Sequence, residues 1–442
     1  MNSNMSIALP GTDTVIRKQF SNGVTVLVHE NPWSNTAAIR GSLYAGSCLE
    51  SPEQVGLSAF LSQAFAAGTQ FRTCRQISNY LESIGADLSF ISGPHAINIK
   101  GKCLSEDLPD MLILLKEMLD SPSFPEHELE VIRNRAFDDL EPNIYVRDDP
   151  AYDVFKEFLW GQDHPYGRMK YDSAKGMADL SRDDLLNFHK RFAGPKNLIL
   201  VIVGNFRSSA VMDRCEEIFG GWEKKQEIID EDKLFPLPEI DRETTFLHME
   251  SHISEEVSLI VGTFGPAFGD PDCLSAKIGN CILGDVGMAM GRIGRMVREK
   301  HGLAYEVYSY LDPKKKGGCW SVQAGVHPEN LVKTTDLIFD EIRRFTTEHV
   351  SSDELESAKS WFIGSLPLEF ANNSSTASML FNLAFYEQDL DYYRCLPKYV
   401  AAVTPETILA ASQKWIDPNK MLKVTVGCIE EIRKAGWWKI NS

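Results

Sequence analysis

One order of elements runs twice through this chain, on either side of a stretch that belongs to neither copy. Residues 222–242, WEKKQEIIDEDKLFPLPEIDR, are charged, hold two prolines and lack any apolar period, which is the composition of a linker. Before it come strand patterns at Val15–Glu30 (broken by the turn Ser21-Asn22-Gly23) and Ala37–Tyr44. A helix at Gly56–Thr69 and alternation over Leu88–Lys102 follow. Further helical stripes run over Asp107–Asp120 and from Phe124 to Leu140, then Ala151–Trp160 and Leu185–Phe192, and Asn197–Gly204 reads as a buried strand. After it come strand Glu256–Phe264, helices Asp272–Leu283 and Met288–Lys300, strands Leu303–Leu311 and Cys319–Gly325, helices Leu331–Thr346 and Asp353–Leu366, and a last strand at Lys423–Gly427. The two series repeat at a spacing of roughly 220 residues, with too little identity between the halves to prove a duplication. The expected division is 1–221, a linker at 222–244, and 245–442. A length of 442 residues, 43% of them apolar, independently implies more than one core in a fully globular protein.

The first helix sets its own limits. In Gly56–Thr69, GLSAFLSQAFAAGT, residues Leu57, Phe60, Leu61, Ala64 and Phe65 fall on one face at core-packing spacing. The opposite face carries Ser58, Ala59, Ser62, Gln63 and Ala66, with no ionisable group. Gly68 stands where a helix end favours positive φ.

A net charge of −17 argues against nucleic acid or an anionic membrane as the main partner. The start of the chain lacks a basic region followed by an apolar one, and no apolar run approaches the ~20 residues of a membrane span. The nine cysteines are scattered and form no CxxC pair, which fits reduced thiols. The expected location is cytoplasmic. Neither a GxSxG elbow, a P-loop nor a GxGxxG is present, so nucleophilic hydrolase and nucleotide-binding readings lack support. His248-Met249-Glu250-Ser251-His252 has two histidines at i and i+4, a spacing that chelates only on a helix. The run leads into a strand, where residues four apart lie about 13 Å from each other.

The frame of Gly56–Thr69 resembles the first-half helix of the insulinase/pitrilysin (M16) metallopeptidases, roughly GLAHFLEHMLFKGT. Further matches are Gly41-Ser42-x-Tyr44, Asp149-Pro150, His164-Pro165-Tyr166-Gly167, Gly262-x-Phe264-Gly265-Pro266 and Arg298-Glu299-Lys300-x-Gly302-Leu303-Ala304-Tyr305, so the likeness spans nearly the whole chain. It implies an α+β fold like that of the mitochondrial processing peptidases: two similar domains, each an antiparallel β-sheet packed with helices. In that family the zinc motif HxxEH lies on this helix, two His binding the metal and the Glu activating water. Here its positions hold Ala59, Ser62 and Gln63. Ala59 has no donor atom, Gln63 is a neutral amide, and Ser62 cannot accept the proton that a Glu would. The family's third ligand falls near Arg135–Pro142, where Asp139 and Glu141 are the candidates. This chain is expected to bind no catalytic metal and to need no cofactor of its own.

Arg298 and Tyr305 stand seven apart across a helix-to-strand junction. The resemblance implies that such a pair hydrogen-bonds the substrate backbone and helps to hold the tetrahedral intermediate, as donors aimed at a developing negative oxygen. Taken alone, the same residues also fit a helix-capping Arg298 and a core-filling Tyr305. In one subgroup of the family, one chain carries HxxEH and a second has lost it but keeps the Arg/Tyr pair. This sequence looks like the second kind. The expected function is therefore that of the non-metal subunit of a heterodimeric zinc peptidase, with zinc in the HxxEH-bearing partner and a peptide substrate enclosed between them. An inactive M16-like scaffold or peptide-binding protein is the alternative. Peptidase activity by the lone chain is a third reading, homodimerisation when alone stays open, and Trp437-Trp438 is a contact patch or packs back on the second half.

Overall fold

The computed structural model describes residues 9–138, 150–224, 226–227, 230–236, 238, 245–251, 255–284 and 291–434. The strands are β1 (Val15–Gln19), β2 (Thr25–Glu30), β3 (Thr36–Leu43), β4 (Asp87–Ser92), β5 (Ile97–Leu104), β6 (Leu198–Gly204), β7 (Phe246–Glu250), β8 (Val257–Gly265), β9 (Ala304–Pro313), β10 (Gly318–Val326) and β11 (Leu422–Gly427). The helices that matter below are α1 (Leu57–Ala64), α2 (Leu108–Asp120), α3 (Pro150–Trp160), α4 (Arg182–Phe192), α5 (Ser208–Phe219), α6 (Cys273–Leu283), α7 (Leu331–Thr347), α8 (Ser352–Glu369) and α9 (Asn373–Phe385).

Two sheets form, with one repeated plan. The first runs β1-β2-β6-β3-β5-β4 and the second β7-β11-β8-β10-β9. Each is antiparallel apart from a single parallel pair, β2 with β6 and β7 with β11. Leaving out β1, the two orders correspond strand for strand, so the repeat read from the element order is structural. The α+β class and the helix-packed sheets are as expected.

The division into units is more interleaved than a cut at 222–244. One unit comprises residues 1–141, 170–235 and 365–396; the other comprises 142–169, 236–364 and 397–442. Each sheet thus receives a helix from the opposite half of the sequence. In the first unit one face of the sheet packs Val26, Val28, Ile39, Ile97, Ile99, Leu200 and Ile202 against α1, α2, α4 and α5 in a continuous core. Its other face is covered by α9, which packs on β3 and β6. There the Asn373 amide donates to the Thr36 carbonyl at 2.6 Å, and Arg40 lies 5.4 Å from the centre of the Phe381 ring.

In the second unit α3 takes the corresponding place on β8 and β11. The Phe155 ring lies over Gly262, Trp160 meets Phe264 edge-on at 4.7 Å, and the Tyr152 hydroxyl donates to Asp312 at 3.1 Å. Every cysteine is a free thiol. Burial pushes the thiols of Cys103, Cys215 and Cys319 up to about 12. No helix among the described residues is long and apolar enough to cross a membrane. Asp139, Glu141, His252, Trp437 and Trp438 lie outside the described residues, as does the expected start of a helix at Met288.

Candidate functional site

Helix α1 starts after Gly56, which offers no side-chain cap and has φ +96°. The cap comes from upstream: the buried Glu50 carboxylate accepts the backbone N–H of Gly56 at 3.2 Å and of Ser58 at 2.7 Å. Those are two of the orphan donors that any helix N-terminus must satisfy, and a carboxylate also complements the positive end of the helix. The absence of Ser, Thr, Asp or Asn before Leu57 is the sequence signal for such a remote cap. A side chain at Gly56 would run into the Ser173 carbonyl, so this glycine is needed for both its conformation and its clearance.

The three motif positions then diverge in fate. Ala59 presents a methyl group. Ser62 is only 4% exposed, and its hydroxyl donates to the Ala59 carbonyl at 2.7 Å. Gln63 points its amide into solvent. The neighbouring Ser58 hydroxyl donates to the Ala45 carbonyl at 2.7 Å and shares a hydrogen bond with the Ser92 hydroxyl, tying α1 to the end of β4. A zinc site needs three strong donors converging on an open position. A methyl, a hydroxyl already bonded to backbone and a solvated amide do not fit one. Among the described residues no group of three or more His, Cys, Asp or Glu is placed to hold a metal. His248 lies on the edge strand β7, with Nδ1 3.0 Å from the Thr425 hydroxyl, in agreement with the extended reading of that segment.

The Arg298/Tyr305 junction is built differently. A short helix, Arg292–Gly294, continues into a π-helical turn, Arg295–Lys300. Wider turns of this kind recur at functional sites because they rotate side chains off the α-helical register. The turn closes through N–H bonds from Gly302 to the Arg298 carbonyl and from Leu303 to the Val297 carbonyl, both 3.0 Å. Gly302 takes φ +62°, the left-handed residue that ends a helix, and the chain enters β9. Pairing with β10 then slips: Ala324 faces Val307 while Val326 faces Ala304, so Tyr305 and Glu306 together oppose Gly325. That is a β-bulge on an edge strand, a device that re-aims side chains.

The result is a phenol 84% exposed, with no hydrogen bond from the described residues. Along the same strand the Tyr308 hydroxyl donates to Gln323 at 3.0 Å, and Tyr310 packs edge-on against Tyr152. Tyr305 does not fill core, which removes half of the structural alternative for the pair. The Arg298 side chain is 38% exposed, with Nη2 3.9 Å from the Glu299 carboxylate. The base of the turn is rigid by contrast. Arg292 is buried and forms a two-pronged ion pair with Glu354 of α8, at 2.7 and 2.8 Å. That partner holds the Glu354 carboxyl down at about 2, helped by the Ser351 backbone and hydroxyl.

With this geometry in hand, the likeness to known proteins is direct. The family description "Insulinase (Peptidase family M16)" matches residues 25–143, and "Peptidase M16 inactive domain" matches residues 179–361; together they take in more than half of the chain. The chain belongs to the M16 family. It is 26% identical over 357 residues to an uncharacterised zinc protease of Bacillus subtilis, covering 81% of this chain and 85% of that one. It is 22% identical over 386 residues to the mitochondrial-processing peptidase subunit beta of Neurospora crassa, covering 84% and 79%. Among solved structures, an M16 inactive domain from Pseudomonas fluorescens superposes with a TM-score of 0.85 at 24% identity, over 94% of this chain and 98% of the other. A protease from Helicobacter pylori gives 0.81 at 15% identity over 95% and 100%, so these two agree with this M16 chain in fold. It is an M16 protein of the inactive type, with relatives named as zinc proteases.

Proposed function

We propose that this chain is the non-metal subunit of a two-chain M16 peptidase. It closes a substrate chamber with an HxxEH-bearing partner that holds the zinc, and it lends Arg298 and Tyr305 to that partner's active site. The observation that carries the reading is the pairing of opposites. The motif face of α1 holds no usable ligand, whereas Tyr305 stands out on a bulge with a rigid base behind it. Exposing a large aromatic at 84% gives up burial that would stabilise the fold by about 2 kcal/mol, and a phenol free to donate is what a developing oxyanion needs. Arg298 adds a guanidinium fork suited to peptide carbonyls.

The test is reconstitution. The chain and an HxxEH-bearing M16 chain are assayed singly and mixed on unfolded peptides. Activity only on mixing is the expected result. Arg298→Ala in the mixed complex should lower kcat by ~10²–10³ without dissociating it, the usual cost of losing one preorganised donor. Full activity of the Arg298→Ala complex would assign these residues no catalytic part and leave the chain a scaffold or peptide-binding subunit.

A further inference from the structure

Behind the π-helical turn lies a cavity of about 280 Å³ whose polar lining is Arg292, Arg295, Lys300, Arg344, Glu341 and Glu354. Four cations face two carboxylates, in a chain whose net charge is −17. Both carboxylates are engaged with arginines from the same set. Glu354 takes the Arg292 fork, with Arg295 Nη2 3.8 Å away, and Glu341 takes Arg344 at 2.9 Å. With Glu348 also 3.5 Å from Arg344, the excess of positive charge lies on Arg295 and Lys300, over an otherwise acidic protein.

Two buried atoms at this cluster have no partner among the described residues. Arg292 is 9% exposed and Glu341 3%, and the two groups feel each other's charge, yet among the described residues Arg292 Nη1 has no acceptor and Glu341 Oε2 no donor. A buried polar atom left unsatisfied is costly, most of all on a charged group. The two orphans want opposite things, one an acceptor and the other a proton. Neither has exposed area in this arrangement, so a ligand meets them only when a lining side chain moves, and Arg344, half-exposed and bonded to the other Glu341 oxygen at 2.9 Å, is the one tied to that carboxylate.

We propose that this cavity binds a protonated phosphate oxyanion, hydrogen phosphate or a monoprotonated phosphomonoester. The anionic oxygens accept from Arg292, Arg295, Lys300 and Arg344, and the P–OH donates to Glu341. An oxyanion without a proton does not suit the site, because an acceptor-only ligand would set a lone pair against the Glu341 carboxylate. At neutral pH this separates phosphate from sulfate, two anions of nearly the same size and charge. Selection of this kind, in which a site's buried polar group goes unpaired with the wrong ligand, is worth more than shape.

The experiment is calorimetric titration of the full chain with inorganic phosphate and with sulfate at matched ionic strength, since screening alone would weaken both alike. Phosphate should bind at least ~10-fold tighter than sulfate, the equivalent of one charged hydrogen bond. Arg295→Ala and Lys300→Ala, on the exposed turn and safe for folding, should each weaken phosphate several-fold. Arg298→Ala, on the same turn but outside the cavity lining, should leave it unchanged, which separates this site from the proposed catalytic pair. Glu341→Gln should abolish the preference by supplying an N–H that sulfate accepts. Phenyl phosphate in the same titration identifies the source: competition with inorganic phosphate points to an ester ligand, exclusion to free phosphate. Equal binding of phosphate and sulfate, an adventitious-ion response indifferent to Arg295→Ala and Lys300→Ala, or no phosphate binding would each overturn the proposal.

Discussion

Helix α1 and the turn that carries Arg298 each lie on the segment that leads to the edge strand of its own sheet, β4 or β9, although it is α6 that stands in the second half where α1 stands in the first. They treat polar groups in opposite ways. On α1 the Ser58 and Ser62 hydroxyls are bonded to backbone or to another hydroxyl, and the cap is a buried carboxylate. At the second junction a rigid ion pair at the base supports side chains that face outward. A site can lose its chemistry and keep its fold by letting small residues close the space. A site that keeps side chains in water must anchor them from behind.

The sharpest way to break this comparison is to put charge on each side of it. Ser62→Glu restores one element of the motif but places a carboxylate where the hydroxyl now donates to Ala59. It should destabilise the chain by about 3 kcal/mol in denaturant unfolding. The same charge at Tyr305 should cost within ~0.5 kcal/mol, as expected for an exposed position. Equal costs would mean the two places are not opposites.

A smaller effect comes from the anchor. Arg292 holds the Glu354 carboxyl at about 2, below its ordinary 4.5. The folded state therefore gives up this proton more readily than the unfolded chain. The stabilisation is fully present above the ordinary value and drains away as pH falls toward 2. Glu354→Gln should remove that part of the acid unfolding profile, measured by circular dichroism, and lower stability at neutral pH. An unchanged profile would show the ion pair to be idle.

The smallest effect sharpens the functional side. Tyr305→Phe should leave the melting temperature within the error of the measurement, because the phenol touches no described donor or acceptor. It should still slow peptide hydrolysis by the reconstituted complex. A stability loss with intact turnover would reverse the assignment.

Much of this was legible because local periodicity carries it. The stripe of α1, the extended character of Phe246–Glu250 and the helix end at Gly302 all follow from neighbours in sequence. What was not legible depends on distant residues. Nothing near Asn373 says that α9 will cover β3 and β6, and its opening run of Ser and Thr hides the helix. The bulge at Tyr305 depends on register with β10, and the cap of α1 on a glutamate six residues before Gly56. The cavity needed α7 and α8 to bring Glu341 and Glu354 beside Arg292.

The traded helices bear on how the chain is made. The first sheet can be assembled once β6 has left the ribosome, but the helix that covers its other face follows about 170 residues later, a wait of about 10–30 s at ordinary elongation rates. Until then Leu27, Ala38, Val201 and Val203, all buried in the finished protein, form an apolar strip with no cover. Synthesis leaves the nascent first unit sticky for that interval, and a chaperone that shields β-sheet faces has its natural client in the growing chain rather than in the finished one.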